Sequence, residues 1–288
     1  MEKAMRKVKL DKSKLLVIPA DVFRDAEIDS LSLYQNALSE LPDELWRLKQ
    51  LTSLNLGDNK IALLPNGIGN LTRLRMLDLG HNMLRTLPDA LGKLSALSDY
   101  LYLSNNQLIA LPETLGNLVR LRYLNVSDNR LEALHHSIGN MKNLQELRIY
   151  RNALSSLPDS ICNLMQLKEF HAQQNRLSFL PADIGNLANL RELDLADNAL
   201  TALPTSIGDL SQLRRLNLRN NAIAALPPSL GALHQLRHLD LRANPLRRLP
   251  ESIGDIAALE KLDLRWCRLD VLPDWVDRLR ARGTVVYL

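Results

Sequence analysis

A short unit recurs through the whole sequence, and its fixed period constrains the fold more than any other feature of the chain. Ten asparagines that each follow a Leu-x-Leu-like pair mark the period, and a cysteine marks its last step. Consecutive marks lie 23 residues apart, apart from one step of 24 residues between Asn82 and Asn106. A fixed period of this size is typical of solenoids. The marking residues are Asn36, Asn59, Asn82, Asn106, Asn129, Asn152, Asn175, Asn198, Asn221, Asn244 and Cys267.

The repeated unit has the pattern L-x-x-L-x-L-x-x-N-x-L-x-x-L-P-x-x-I-G-x-L, as residues 190–210 illustrate. Eleven units match it in register, and the chain resembles the leucine-rich repeat family over nearly its whole length. The resemblance is to the 23-residue, Ras-group-like intracellular type, which has bacterial relatives. It implies an α/β solenoid with the shape of a curved horseshoe. Short parallel strands form its concave sheet, and irregular or 3₁₀ segments form its convex side.

The repeat continues beyond its clearest copies and accounts for the whole chain. Val8 lies 23 residues before Leu31, and Val285 lies 23 residues after Leu262. We therefore expect a single domain over residues 1–288, with an N-terminal capping unit at 1–27, regular repeats at 28–272 and a C-terminal cap at 273–288. Thirteen strands are predicted, at residues 8–10, 31–33, 54–56, 77–79, 101–103, 124–126, 147–149, 170–172, 193–195, 216–218, 239–241, 262–264 and about 285–287.

Each place in the unit has a physical role. The Leu-x-Leu alternation has the period of a strand, so its leucines are expected to point into the core and the intervening residues outwards. In the resembled family the asparagine is buried and satisfies backbone groups in the turn after the strand. Eleven of the thirteen prolines follow the last leucine of a unit, on the convex side. His135 takes this place in the unit that lacks the proline.

Charge and cysteine content favour a cytoplasmic protein. The net charge is +4, with no dense basic run after the N-terminus, so binding to nucleic acid is not expected. No signal peptide and no apolar run long enough for a membrane span are visible. Cys162 and Cys267 are more than four repeats apart, or roughly 20 Å at the usual strand spacing, too far for a disulfide. Free thiols favour a reducing compartment, with secretion without a cleavable signal peptide as the alternative.

No pattern in the sequence indicates an enzyme. Cys267 replaces an asparagine and Cys162 replaces a glycine of the repeat, so both are interpreted as structural residues. His135 with His136, and His234 with His238, are the possible metal pairs. His234 is expected on the convex segment and His238 on the strand, so the i, i+4 spacing of the second pair is not that of a helix. Phosphate-binding loops and hydrolase motifs are absent from the sequence. We therefore predict no catalytic residues, no cofactor and no metal.

The outward strand places carry the candidate binding residues. Numbering each unit from the first leucine of its L-x-x-L-x-L segment, these are the third, fifth and seventh places, and they hold five of the six tyrosines. The extra residue of the longer step lies between Leu97 and Leu101. It suggests a bulge, a feature common beside functional sites, although a neutral loop insertion is the alternative. Next to it, three tyrosines are predicted to form a contiguous triangle: Tyr100, Tyr102 and Tyr123.

The units that follow are charged at their outward places. Glu146, Glu169 and Glu192 occupy three consecutive third places. The remaining candidates for partner binding are Arg148, Tyr150, Arg151 and His171. A secondary basic row of seventh places comprises Arg219, Arg242 and Arg265. Because stacked like charges repel each other, this row is expected to attract an acidic partner.

These features together predict a protein–protein interaction module without enzymatic activity. The concave sheet of a solenoid is an extended binding surface, and we expect a scaffolding or regulatory protein that docks a protein partner there. The partner's identity is not encoded in the pattern, and a monomer is expected. Two alternatives remain open: a bacterial effector delivered into host cells, and an extracellular ligand-binding ectodomain.

Overall fold

The computed structural model describes residues 6–288, where thirteen strands of three residues each recur once per repeat. The first five residues of the predicted N-terminal capping unit lie outside the described residues. The first twelve strands start one residue earlier than predicted, and the last has the predicted bounds. The strands are β1 Lys7–Lys9, β2 Ser30–Ser32, β3 Ser53–Asn55, β4 Met76–Asp78, β5 Tyr100–Tyr102, β6 Tyr123–Asn125, β7 Glu146–Arg148, β8 Glu169–His171, β9 Glu192–Asp194, β10 Arg215–Asn217, β11 His238–Asp240, β12 Lys261–Asp263 and β13 Val285–Tyr287.

The chain divides into two compact units, Met1–Leu144 and Gln145–Leu288. In the first unit, strands β1 to β6 pair in parallel in the order of the chain. In the second unit, β7 to β13 pair in the same way. This is the α/β architecture of a leucine-rich repeat solenoid, as predicted.

Short 3₁₀ helices lie between the strands, and nearly all of them follow a proline of the repeat. Those of the first unit are Ala20–Arg24, Asp43–Arg47, Asn66–Asn70, Asp89–Lys93, Glu113–Asn117 and His136–Asn140. Those of the second unit are Asp159–Asn163, Ile184–Asn186, Thr205–Asp209, Pro228–Ala232 and Glu251–Asp255. One α-helix, α1, spans Trp275–Ala281. Between residues 6 and 288 there is no helix with the length and apolar character that a membrane crossing requires.

The leucines of the repeat form the core of both units. The two leucines of each Leu-x-Leu pair are fully buried, as Leu54 and Leu56 show in the first unit with exposures of 0%. The residues between and before them are half-buried or exposed, except for Asn125 and Asp263, which are buried. The strands therefore present one apolar face inwards and one face of chemically varied side chains outwards, as the alternation predicts.

The asparagine of each repeat bonds to the backbone of its own repeat and of the one before it. Asn59 Nδ2 donates to Leu56 O and to Leu33 O, both at 3.0 Å, and Asn59 Oδ1 accepts from Leu38 N at 3.1 Å. The side chain is 8% exposed, so these groups have little access to water. The structural role that the family resemblance implies for the asparagine is confirmed, although only five of the ten asparagines are buried and the other five are half-buried. These bonds link each repeat to its neighbour as the leucine contacts do.

The extra residue of the longer step is absorbed just before β5. In the preceding repeat, the third-place residue Met76 donates its N–H to Thr52 O. In the repeat with the extra residue, Asp99 makes the equivalent bond, from its N–H to Arg75 O. Tyr100 then pairs with Met76 of the preceding repeat and with Tyr123 of the following repeat. The insertion is thus a one-residue bulge at Asp99, and it leaves the outward and inward places of β5 in register.

The C-terminal end departs from the predicted register. Leu262 pairs with Val286 rather than with Val285, so a second one-residue shift occurs between β12 and β13. Val285 is consequently 49% exposed. Helix α1 replaces the 3₁₀ segment here, and the fully buried Trp275 packs against Gly254, where an added β-carbon would lie 2.7 Å from the Trp275 β-carbon. Helix α1 therefore covers the last repeat, and the strand after it shifts.

The glycine of each 3₁₀ segment allows the next repeat to pack closely. A β-carbon added to Gly208 would lie 2.3 Å from the carbonyl oxygen of Ser229 in the following repeat. Cys162 occupies this place in its own repeat, and Asp183 is the residue equivalent to Ser229. There the 3₁₀ helix starts only at Ile184 and is three residues long. We attribute the shortened helix to the room that the cysteine side chain needs.

Gly208→Ala is therefore expected to destabilise the protein by about 1–3 kcal/mol, because the new methyl group is forced against a backbone carbonyl. Cys162→Ala is the matched control, since the backbone around residue 162 already accommodates a β-carbon, and we expect a smaller loss. Chemical denaturation monitored by circular dichroism measures both. Equal losses in the two variants would contradict the packing role of the glycine.

Candidate partner-binding surface

The three tyrosines predicted to cluster are neighbours on the outward face of β5 and β6. The ring of Tyr102 lies 5.1 Å from that of Tyr100, at 61°, and 4.9 Å from that of Tyr123, at 51°. Edge-on and tilted pairs at this separation are the favourable arrangements of aromatic rings. All three residues are half-buried. The structure therefore brings the three side chains together as a continuous aromatic surface with Tyr102 at its centre, which we call the tyrosine cluster.

The surroundings of Tyr100 raise the pKa of its hydroxyl group. Burial raises the pKa of the Tyr100 hydroxyl, and the nearby Tyr102, Asp78 and Asp99 add to the rise. Burial also raises the pKa of Asp78 despite the hydrogen bond from the backbone of Gly80. The inserted Asp99 accepts a hydrogen bond from Arg75 at 3.3 Å. At neutral pH Tyr100 is thus a neutral phenol, able to donate a hydrogen bond to a partner.

The candidates of the second unit interact mainly with polar neighbours. Arg148 Nε donates to Glu146 Oε1 at 2.5 Å, and Arg151 Nε donates to Gln174 Oε1 at 2.6 Å. His171 Nε2 lies 3.4 Å from Glu169 Oε2. Charged side chains of this surface are thus held in defined positions by neighbours within the same unit.

Tyr150 and Arg151 line a cavity of about 400 Å³ that also includes Arg219. Two further lining residues are Gln173 and Arg219, and each has one buried atom without a hydrogen-bond partner among the described residues, Gln173 Oε1 and Arg219 Nε. The structure therefore links two residues of the main candidate set with one of the basic row.

The basic row is neutralised by carboxylates of the same unit. Arg242 makes a two-pronged contact with Asp240, at 2.5 Å and 2.9 Å, and Arg219 donates to Asp197 at 2.7 Å. Arg265 donates to Asp263 at 2.9 Å and 2.8 Å. The carboxylates that pair with the three arginines therefore reduce the repulsion that stacking alone predicts, and the attraction of an acidic partner to this row stays a prediction.

Asp263 is the most buried member of this network. Its side chain is 0% exposed, and burial alone would raise the pKa of its carboxyl group. Hydrogen bonds from Arg265 and the charge of Arg242 outweigh that effect and lower the pKa. The carboxylate is therefore ionised at neutral pH, as its two arginine neighbours require.

The two cysteines are in environments that suppress reactivity. Burial, followed by the charges of Asp183 and Asp159, raises the pKa of the Cys162 thiol to about 11. Burial also raises the pKa of Cys267, whose Sγ donates to Leu241 O at 3.2 Å in place of the asparagine amide of other repeats. Because the thiolate is the nucleophile, neither environment favours covalent catalysis.

Sequence reasoning missed two groups of side chains that could hold a metal ion. One consists of Glu113, His135 and His136, and the other of Glu146, Glu169 and His171. Within each group the potential ligand atoms lie within 4.8 Å of one another. The signal was present in the repeat frame, since equivalent places of consecutive repeats are adjacent in space. Histidine spacing along the chain was the wrong test.

A cavity of about 180 Å³ also escaped sequence reasoning. It lies over β9 to β12 on the outward face of the second unit. Its charged lining includes Glu192, Arg215, His238, Asp240 and Lys261. Arg215 pairs with Glu192 at 3.3 Å, and His238 lies 3.5 Å from Glu260. Opposite charges alternate across this cavity, so it favours neither sign of ligand.

Models of leucine-rich repeats match the chain along most of its length. The leucine-rich repeat region model matches residues 101–198. A second leucine-rich repeat model matches residues 3–61 and 211–269, and a third matches residues 73–94 and 189–210. No curated protein sequence matches the chain.

Solved structures share the fold. An internalin (inlF) from Listeria monocytogenes has a TM-score of 0.74 at 22% identity, over 99% of this chain and 86% of its own. A TDR receptor has a TM-score of 0.81 at 27% identity, over 90% of this chain and 47% of its own. The plant peptide hormone receptor RGFR1, solved in complex with RGF2, has 0.70 at 29%, over 91% and 51%. The chain thus spans about half the length of the two receptors. The repeat frame, the asparagine bonds and these matches agree, and the chain belongs to the leucine-rich repeat proteins.

Proposed function

We propose that the protein binds a protein partner through the outward face of its strands, with the tyrosine cluster as the main contact. Leucine-rich repeat folds are protein-interaction modules. The observation that carries the proposal is the ring contact of Tyr102 with both Tyr100 and Tyr123 on that face. Tyrosine is enriched at binding hot spots because it provides a large contact area with few rotatable bonds.

The second unit supports the same function with polar groups. Arg148, Tyr150, Arg151 and His171 lie on its outward face or at the turn beyond it, and Tyr150 and Arg151 line a cavity together with other polar residues. Such groups confer orientation and specificity rather than most of the affinity. The basic row contributes less than its charge suggests, because its arginines already have carboxylate partners.

We further propose that the protein is a non-enzymatic, monomeric scaffold or regulator, organised as a single domain over residues 1–288. The 23-residue period runs without interruption through residues 144–147, where the two compact units meet in sequence. Both thiols have raised pKa values, which disfavours a cysteine nucleophile. The absence of a dense basic run disfavours nucleic acid as a partner.

The cellular setting has three candidate forms. The free, unreactive cysteines favour the cytoplasm, where thiols stay reduced. The second form is a bacterial effector delivered into host cells, and a bacterial internalin shares the fold of this chain. The fold shared with the peptide hormone receptor RGFR1 supports an extracellular ligand-binding role as the third. In each case a protein or peptide contacts the solenoid.

The proposal predicts that Tyr102→Ala weakens partner binding by about 2 kcal/mol, or roughly 30-fold, since Tyr102 contacts both other rings of the cluster. Proteins captured on the immobilised wild-type chain are identified by quantitative mass spectrometry, and the affinity of each is measured by calorimetry. Tyr34→Ala is the matched control, because Tyr34 is a half-buried outward tyrosine of the same unit outside the cluster. A partner that binds the Tyr102 variant as tightly as the wild type would place the site elsewhere.

A further inference from the structure

We propose that Glu146, Glu169 and His171 form a zinc-binding site on the outward face of the second unit. Glu169 and His171 are the third and fifth places of one repeat, so they lie on the same face of β8. Glu146 pairs with Glu169 across the β7–β8 ladder. Two ligands from one strand and a third from its neighbour converge on a single point above the sheet.

The distances fit a tetrahedral ion. All three potential ligand atoms lie within 4.8 Å of one another, and Glu169 Oε2 is 3.4 Å from His171 Nε2. Zinc binds carboxylate oxygen and imidazole nitrogen at about 2.0–2.2 Å, so two tetrahedral ligands stand about 3.3–3.6 Å apart. Glu169 and His171 already have this separation. A carboxylate oxygen of Glu146 lies within 4.8 Å of both, so it needs to move closer by about 1 Å at most.

The charges of the surrounding glutamates also favour a dication here. Glu192, in the same column one strand further on, is paired with Arg215 at 3.3 Å. Glu146 Oε1 accepts a hydrogen bond from Arg148, which leaves its second oxygen for an ion. Among the described contacts, Glu169 is matched only by the imidazole of His171. Glu146 and Glu169 carry two negative charges, and the guanidinium of Arg148 balances only one of them. A divalent cation would neutralise the remaining charge.

The ligand set and its surroundings select the kind of metal. An imidazole nitrogen in the set favours zinc over calcium and magnesium, which prefer all-oxygen ligands. His171 is 13% exposed and Glu146 22% exposed in their side chains, so both are held largely by the protein. Phe170, between the two β8 ligands, is buried in the core and anchors the strand. Three protein ligands leave the fourth position open towards solvent, for water or for a group of a bound partner.

The group at Glu113, His135 and His136 is the weaker of the two. His135 Nδ1 accepts a hydrogen bond from Ser137 N at 3.2 Å. The proton of the neutral imidazole is therefore on Nε2, the atom that faces Glu113 at 3.9 Å. Metal binding through Nε2 would require that proton to leave while Nδ1 remains an acceptor, an unfavourable state of the ring. The site in the second unit has no such conflict in its described contacts.

The test is a titration of metal-free protein with Zn²⁺ in competition with a chromophoric chelator. His136→Ala is used as the background, so that binding at the other group of residues is removed. We expect one Zn²⁺ per chain, and a loss of affinity of about tenfold or more on adding either Glu169→Gln or His171→Ala. Glu192→Gln is the matched control, and it should bind within about twofold of the background.

Two outcomes would overturn the zinc site. The first is a lack of saturable Zn²⁺ binding by the background protein. The second is equal affinity in the His171→Ala variant, which would assign the ion to other ligands. Circular dichroism spectra of each variant establish that it is folded. Should a variant fail to fold, the imidazole proton signals of His171 in the folded background protein replace it: they must shift on Zn²⁺ addition if the site exists, and unshifted signals exclude it.

Discussion

Replacing Asn221 with alanine is expected to lower the free energy of unfolding by about 2–4 kcal/mol. Asn221 Oδ1 accepts from Leu200 N at 3.0 Å, and its Nδ2 donates to Leu195 O and Leu218 O, both at 3.0 Å. Both carbonyls keep one other amide donor, from Asn198 and Asn244. The Leu200 N–H loses its acceptor in a buried position, and an unpaired buried donor is the more costly of these losses.

Cys267 shows what a side chain intermediate between asparagine and alanine does at this place of the repeat. Cys267 keeps one side-chain bond, from Sγ to Leu241 O, so Asn221→Cys should cost less than Asn221→Ala. Asn189→Ala serves as the control, because Asn189 is exposed and donates a single bond to Met165 O. Urea denaturation gives the free energies. Hydrogen exchange of the Leu200 amide should also be faster in the Asn221→Ala variant than in the wild type. Equal protection of this amide in the two proteins would refute the asparagine bonds as a source of stability.

Leu101→Ala is expected to cost about 2–5 kcal/mol of stability, the range for removing a large buried side chain. Leu101 is 0% exposed and lies in β5 between Tyr100 and Tyr102. Its neighbours along the core are the leucines of the adjacent repeats, Leu77 and Leu124, which pair with it in the sheet. A cavity there loosens both adjacent repeats, because each repeat is stabilised mainly by its neighbours.

Tyr102→Ala is the natural counterpart to this change, at the adjacent position on the opposite face. It should leave the free energy of unfolding within about 1 kcal/mol, as ordinary surface changes do. Denaturation midpoints for the two variants in the same buffer make the comparison. A loss from Tyr102→Ala as large as that from Leu101→Ala would mean that the tyrosine cluster holds the fold together rather than binding a partner.

The repeat frame of the fold is readable from the sequence because one short pattern recurs in register. The inward leucines follow from that pattern alone, and the structural asparagines follow from the resemblance to the leucine-rich repeat family. Departures from the repeat pattern are caused by residues whose effects on local structure depend on how the next repeat packs. Cys162 shortens the 3₁₀ helix that follows, and α1 shifts the register of β13, effects that no periodicity encodes.

In the candidate site, too, the repeat pattern predicts which residues are neighbours but not the contacts that depend on side-chain conformation. Contact among Tyr100, Tyr102 and Tyr123 follows from their places in the frame, and the structure confirms that they are neighbours. Their role in binding stays a prediction. The ion pairs of the arginine row could not be predicted from the sequence, because side-chain rotation decides which acidic neighbour each guanidinium reaches. Arg242 contacts Asp240 in its own repeat, and Arg219 contacts Asp197 in the preceding repeat.

The asparagine hydrogen bonds that link successive repeats determine how such a chain can change its length. In repeats of regular length each described amide reaches back by the same intervals, 26 residues to one carbonyl and 21 residues to one N–H, as Asn221 and Asn244 both show. The intervals of Asn106 are one residue longer, 27 and 22, because the inserted residue lies within them. Excision of one complete repeat therefore gives every remaining amide an equivalent acceptor and donor from the repeat that becomes its neighbour. Duplication of a repeat does the same. Gain and loss of whole repeats are thus open to this chain during evolution, whereas an added or missing single residue must be absorbed locally, as Asp99 is before β5.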